Sequence, residues 1–258
     1  MTLVRQKAAD TPAPWGTDQT TALERGLRKI GVDATPGQQA QLRHYGELLL
    51  KWNRTYNLLG ATSAQAMVEE HLLDSLAVLP ALRAWLPVES SVMVDVGTGA
   101  GLPGIVLSIM RADLPIILVE PIGKKAAFLQ QAVAECRLPE VTVMPARIED
   151  VPTAQLRRPA QLAEHGSDGT GRTTHFICRA FTSLDRFATL CAPHLQHGSL
   201  LFAMKAAKVE EELEQLTDPL EVLAVQPLRT IEKDVPRNLV VMRSKETHPA
   251  ADPTGPVR

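Results

Sequence analysis

This sequence predicts a doubly wound α/β fold, a mostly parallel sheet with helices on both faces and a helical extension ahead of it. Three observations predict it. Between residues 92 and 205 short apolar runs alternate with stretches of helical periodicity, the pattern of strands joined by crossover helices. One of these runs, Val92-Met-Val-Asp95, breaks into closely spaced glycines, Gly97, Gly99, Gly101 and Gly104, as a helical pattern begins. The following run, Pro115-Ile-Ile-Leu-Val-Glu120, ends in a carboxylate.

In chain order, residues 1–20 carry Pro12, Pro14 and Gly16 and are expected to form a disordered head. Residues 21–88 make up the helical extension. Within it Thr35-Pro36 supplies a cap and a first helical position, and Leu42, Tyr45, Leu49, Trp52 and Tyr56 recur at helical spacing. A second helix is expected over 64–79, with Pro80 and Pro87 marking the passage to the first strand. The main domain, 89–245, then reads as strand 92–96, helix 103–111, strand 116–120, helix 123–137, strand 141–144, strand 176–179, helix 184–192 and strand 199–205. Two last runs, 221–226 and 238–243, are expected to close the sheet as an antiparallel pair. The link 152–174 is too long for a plain connection and reads as an insertion loop, and 246–258 as a disordered tail.

A strand, a tight turn and a helix start present backbone N–H groups to a nucleotide-like ligand, and glycine lets the main chain come close to it. Two ligand classes fit. Gly99-x-Gly101-x-x-Gly104 matches the dinucleotide fingerprint, but Pro103 in the first helical turn removes an N–H donor that a pyrophosphate would use. The other frame, Asp95-x-Gly97-x-Gly99-x-Gly101, sets a carboxylate beside the turn and suits a ligand with an amine and a sulfonium, S-adenosylmethionine. Both classes use an acid about 20 residues on, here Glu120, to hold a ribose diol. The bland alternative is a glycine turn that merely closes an α/β unit.

With 258 residues and 45% hydrophobic content, the chain can bury one substantial core plus an accessory segment. No apolar run approaches the roughly 18 residues of a membrane span, and no charged-then-apolar signal pattern opens the sequence. A cytoplasmic, monomeric protein without membrane contact is expected. Cys136, Cys178 and Cys191 are odd in number and lack C-x-x-C spacing, which disfavours disulfide and zinc roles. A net charge of -2 means that any contact with nucleic acid must come from a local patch.

Six segments, in one order, carry a family resemblance: Lys51-Trp-Asn-Arg-Thr-Tyr-Asn-Leu58, His71-Leu-Leu-Asp-Ser75, Asp95-Val-Gly-Thr-Gly-Ala-Gly-Leu-Pro-Gly-Ile105, Lys124-Lys125-x-x-Phe128-Leu129, Ala146-Arg-Ile-Glu149 and Arg179-Ala-Phe181. Together they resemble the RsmG family, also called GidB, the 16S ribosomal RNA guanine-N7 methyltransferases. The resemblance implies a Rossmann-like fold that binds S-adenosylmethionine and no metal, acting on a guanine in the decoding-region loop of the small ribosomal subunit. By matching position it sets Gly97 and Leu102 against the cofactor at the glycine loop, Ile148 and Glu149 beside the adenine, and Arg179 as a further cofactor contact. Asp95, Gly99, Gly101 and Glu120 complete the expected cofactor site. Two departures stand out. Position 120 is Glu where the family often has Asp, and the insertion 152–174 is longer than the usual link. The insertion holds Arg157, Arg158 and Arg172, open to reading as an RNA-facing loop or as a solvated segment.

The residues also constrain the chemistry. Methyl transfer to exocyclic amines commonly uses an Asn/Asp-Pro-Pro-aromatic motif after the fourth strand, where this chain has Cys178-Arg-Ala-Phe181. Attack on pyrimidine C5 needs a cysteine nucleophile, but Cys178 follows Ile177 within the expected strand and reads as a core thiol. Methylation of a ribose hydroxyl needs proton removal. Guanine N7 already carries an exposed lone pair, so it needs alignment and no base. Arg179 is the expected catalytic residue, orienting the cofactor and the guanine edge, with a structural ion pair as the alternative. Lys51 and Arg54, with Arg43 on the same polar side of their helix, and Lys124 and Lys125 near the cofactor end, are the candidate RNA contacts. His71 and Asp74 share a helix face, where a hydrogen-bonding role is favoured over a metal. Trp52, Tyr56 and Phe181 are aromatics able to stack on a base, although Trp52 and Tyr56 lie on the apolar stripe and are expected in the core.

Overall fold

The apolar runs become strands of a single sheet: β1 (Ser91–Val96), β2 (Ile116–Val119), β3 (Val141–Met144), β4 (Thr173–Arg179), β5 (Leu201–Lys205), β6 (Leu220–Pro227) and β7 (Asn238–Ser244), in the order β3-β2-β1-β4-β5-β7-β6. The computed structural model describes residues 15–86, 91–157, 172–206, 209–216, 220–231 and 236–245. β1 is parallel to β2, with Asp95 opposite Leu118, and to β4, with Asp95 opposite Ile177. The chain winds outward from β1 to β3, then returns to β4 on the other side of β1 and winds the opposite way. A crevice therefore opens beyond the carboxyl ends of β1 and β4, the ligand edge of such sheets. β7 runs antiparallel to β5, with Asn238 opposite Lys205, so the start of β7 lies on that same edge.

Strand side chains alternate between two cores, as a period of two requires. Met93, Ile116 and Leu118 pack with the N-terminal helices and with α6 (Gly104–Met110) and α7 (Gly123–Glu135). Val92, Val94, Val96, Ile117 and Val119 face the opposite core, with Leu156 of α8 (Thr153–Arg157) and Phe187 of α9 (Leu184–Cys191). A short α10 (Val209–Glu214), which the sequence did not announce, follows β5.

The extension begins earlier than expected. Its first helix, α1 (Thr17–Ile30), includes residues assigned to the head. Leu23, Leu27 and Ile30 recur on one buried face, and the indole of Trp15 covers Gly46, so 15–20 are ordered by packing despite their polar composition. α2 (Pro36–Tyr56) starts where Thr35-Pro36 predicts, the Thr35 hydroxyl accepting the Gln38 N–H at 3.2 Å. The second helical stretch runs through α3 (Ala64–Ala66), a π-turn segment (Met67–Leu73) and α4 (Asp74–Leu76). Pro80 does not end it on the way to a strand: it occupies the first turn of a further helix, α5 (Leu79–Trp85), where the missing N–H costs nothing. The insertion is structured at both ends, by α8 and by β4, which begins at Thr173 rather than at 176. Its centre, 158–171, the head before residue 15 and the tail 246–258 lie outside the described residues.

Candidate active site

Asp95, fully buried at the end of β1, braces the glycine loop from below. Its Oδ2 accepts the Thr98 hydroxyl at 2.5 Å and the Gly104 N–H at 2.7 Å, while Oδ1, also buried, has no partner among the described residues. Burial lifts its carboxyl from 3.8 to about 6, although both hydrogen bonds and the Arg179 charge pull the other way. Gly97 and Gly99 hold φ at +65° and +63°, in the left-handed region that side chains resist. A Cβ on Gly97 would strike the Phe181 ring, whereas one on Gly99 would meet only the Gly97 carbonyl oxygen and Lys125 Nζ, each 4.0 Å away. Gly101 and Gly104 serve packing instead: a Cβ there would meet Ile105 and Leu129, or Leu118 and Asp95.

Glu120, at the end of β2 and 3% exposed, lies beneath the same loop. Its Oε2 accepts the Gly99 N–H and its Oε1 the Ile122 N–H, each at 2.9 Å. Beyond it a cleft of about 240 Å³ opens between Gly97, Val119, Ile148, Glu149, Phe181 and Arg186. Ile148 is buried, and the half-exposed Glu149 faces Arg186 at 3.8 Å. Gly97, Ile148 and Glu149, far apart in sequence, thus share one cleft. Leu102 does not join it: its side chain is in the core, and its N–H is donated to the Thr98 carbonyl at 3.1 Å within the loop's own turn.

Arg179 ends β4 beside this loop. Nη1 donates to Asp74 Oδ2 at 2.8 Å and to the Glu70 carbonyl at 3.2 Å, so the ion-pair alternative is realised. Asp74 also accepts from Arg237 Nε at 2.7 Å, which explains Asp74 without a metal. No cluster of metal-binding side chains exists among the described residues. His71 is pushed down to about 4, first by burial and then by the Arg179 charge, and is neutral at neutral pH. Cys178 is buried and its thiol is raised by that burial, so it offers no nucleophile.

The candidate RNA contacts gather where α2 ends and α7 begins. Lys124 Nζ donates to the Tyr56 carbonyl at 2.8 Å, drawing the two helices together, and Lys51 and Arg54 are exposed on the last turns of α2. Arg43 instead pairs with Glu47 at 3.4 Å. Tyr56, expected in the core, is 43% exposed and lies on Trp52 with ring centroids 4.9 Å apart; as the last residue of α2 it has run past the surface it would pack against.

Sequence reasoning missed two residues. Tyr45, read as core, is indeed fully buried, but its hydroxyl donates to the Ala100 carbonyl of the glycine loop at 2.5 Å. The need of a buried phenol for a partner was the available signal. Arg237 was hidden in a connection, although the expected antiparallel closing strand already implies that its first residues lie at the ligand edge.

The chain matches the family model for rRNA small subunit methyltransferase G, GidB, over residues 38–240. It is 39% identical over 220 residues to the ribosomal RNA small subunit methyltransferase G of Azoarcus sp. (strain BH72), covering 85% of this chain and 94% of that one. Identity to the protein of the same name from Bordetella avium (strain 197N) is 36% over 225 residues, covering 87% and 93%. Among solved structures the METTL16 methyltransferase domain superimposes with a TM-score of 0.51 at 12% identity, covering 88% of this chain and 92% of that one. A geranyl diphosphate methyltransferase superimposes with a TM-score of 0.51 at 14% identity, covering 83% and 100%; these two likenesses concern the fold.

Proposed function

Because the chain belongs to the rRNA small subunit methyltransferase G family, we propose that it transfers the methyl group of S-adenosylmethionine to N7 of a guanine in the decoding-region loop of 16S rRNA. It does so as a monomer in the cytoplasm, on the small ribosomal subunit. The observation that carries this reading is a ligand edge without a general base. Among the described residues, Asp95 and Glu120 lie buried beneath the loop and accept backbone N–H groups, Glu149 faces Arg186, Arg179 is a permanent cation, and Cys178 is buried. Methylating a ribose hydroxyl would need a base there and a pyrimidine carbon a cysteine nucleophile, and an exocyclic amine commonly has the Asn/Asp-Pro-Pro-aromatic motif whose place Cys178-Arg-Ala-Phe181 takes.

The loop fits the cofactor. The room beside Gly99, the unpartnered Oδ1 of Asp95 and the carboxylate of Glu120 match a ligand with a cationic amine and a ribose diol. When bound, S-adenosylmethionine supplies an electrophilic sulfonium methyl, and N7 already holds the lone pair that accepts it. Asp95 would hold the amine, Glu120 the ribose, and Gly97, Ile148 and Glu149 would flank the adenine. Arg179 would orient the guanine through its O6 acceptor, with the part of its fork that Asp74 and the Glu70 carbonyl do not use, so that the N7 lone pair stays free for the methyl. The work of these residues is alignment and exclusion of misplaced poses.

Two measurements test the reading. Titration with S-adenosylmethionine should show binding where NAD shows none. Small subunits from cells lacking the enzyme should gain one N7-methylguanine in 16S rRNA when incubated with the protein and cofactor. Binding of NAD alone, or methyl incorporation at another atom or in another molecule, would overturn it.

A further inference from the structure

Two arginines from distant parts of the chain share one carboxylate at the ligand edge. Asp74, 8% exposed, receives Arg179 Nη1 on Oδ2 at 2.8 Å and Arg237 Nε on Oδ1 at 2.7 Å. Topology brings them together: Arg179 ends β4, and Arg237 precedes β7, whose antiparallel course returns the chain to the same edge. Asp74 comes from the helical extension, so three separate elements converge.

The charges at this point do not balance. Two guanidiniums against one carboxylate leave about one positive charge, and holding a second cation in a partly desolvated place is unfavourable unless an anion completes the set. Among the described residues no second carboxylate lies within ion-pair distance of either arginine. His71 is neutral, Asp95 acts on Arg179 only through charge, with its Oδ2 turned to Thr98 and Gly104, and Lys205 is matched by Glu212 at 2.7 Å. Arg237 is also the more exposed of the two, its side chain 27% accessible against 16% for Arg179. With Nε committed to Asp74, its two Nη groups form a planar edge of the kind that grips phosphate oxygens.

We infer that Arg237 and Arg179, held side by side by Asp74, form the seat of a backbone phosphate of the RNA strand that carries the target guanine. Arg237 is the outer, substrate-facing member. The inference rests on the reading of the protein as an rRNA methyltransferase. It adds a phosphate anchor between the helical extension and the closing hairpin, on the other side of the cofactor loop from Lys124.

The test uses the full chain and small subunits from cells lacking the enzyme. Arg237→Gln should raise KM for subunits tenfold or more and make the logarithmic dependence of subunit binding on salt shallower by about one. Kd for S-adenosylmethionine should stay within twofold of wild type. Arg237→Lys should restore the salt slope but not the full affinity, since it keeps the charge and loses the fork. Wild-type KM and salt slope in the glutamine variant would overturn the inference and leave Arg237 a clamp for Asp74. If that variant does not fold, the lysine variant decides: a raised subunit KM at wild-type melting temperature supports the seat, and a wild-type KM refutes it. A wild-type enzyme that methylates no rRNA would instead sink the parent reading, so the two failures are distinguishable.

Discussion

Replacing Asp95 by Asn is expected to stabilise the cofactor-free protein at alkaline pH while abolishing its hold on the cofactor. An ordinary Asp carboxyl titrates at 3.8, whereas burial lifts Asp95 to about 6, so between those values the folded chain keeps a proton that the unfolded chain has released. Stability is thus greatest below about pH 4, falls as pH climbs to about 6, and stays at the lower level above. A separation of about two in pKa corresponds to about 3 kcal/mol, of which about 2 kcal/mol falls between pH ~4.5 and pH ~8. The Arg179 charge and the Thr98 and Gly104 donors, which favour the ionised form, and Glu120, which opposes it, are already contained in that value. The amide oxygen keeps both the Thr98 hydroxyl and the Gly104 N–H, while the NH2 in place of Oδ1 is a buried donor without an acceptor, which costs about 1 kcal/mol. The variant should therefore be about 2 kcal/mol more stable than wild type at pH ~8 and about equal to it at pH ~4.5. Urea melts across that range measure this, with calorimetric titration for the cofactor. Parallel pH–stability curves for the two proteins would refute the desolvated carboxyl, and an unchanged cofactor Kd would refute its role in binding.

Gly99→Val should abolish cofactor binding, because its branched side chain stands where the ligand would lie, and should cost some stability because φ is +63° there; normal affinity by calorimetry in the folded variant would dismiss the loop as the site. Glu120→Ala should weaken cofactor binding by about 1 to 3 kcal/mol, through loss of a charge-assisted hydrogen bond, and an affinity equal to wild type would clear it of the ribose role. A combined Lys51, Arg54, Lys124 and Lys125 to Ala variant should bind subunits more weakly and with a shallower salt slope at unchanged cofactor affinity; wild-type subunit binding would place the RNA face elsewhere. Arg179→Lys should reduce single-turnover methylation sharply at a near-normal melting temperature. Near-normal transfer would show that the fork is unused, and collapse of the melting temperature would assign Arg179 to the Asp74 ion pair alone.

The sheet was legible because its central strands are buried on both faces, so Val92–Val94 and Ile116–Val119 stand out as uninterrupted apolar runs. The glycine loop and the acid at 120 were legible for a related reason: few residue types permit a main chain to turn with positive φ over a buried carboxylate. Helix boundaries near prolines were less so, since Pro80 can begin α5 as readily as it can end a helix. Motif position alone did not tell that the Leu102 side chain lies in the core, an orientation that only the fold decides. The Asp74 pairings, spanning 105 and 163 residues, depend on three elements meeting and leave no local trace.

The hydroxyl of Tyr45 ties helix α2 to the backbone of Ala100, and so makes the N-terminal helices the floor on which the cofactor loop stands. The two regions are therefore not interchangeable modules. Trimming the extension to isolate a minimal catalytic core would strip apolar residues from one face of the sheet and release the loop at the same moment. A graft of the extension from a relative with other RNA preferences would carry over the support of the glycine loop along with the proposed substrate surface, and under the proposed function the change should register first in cofactor affinity.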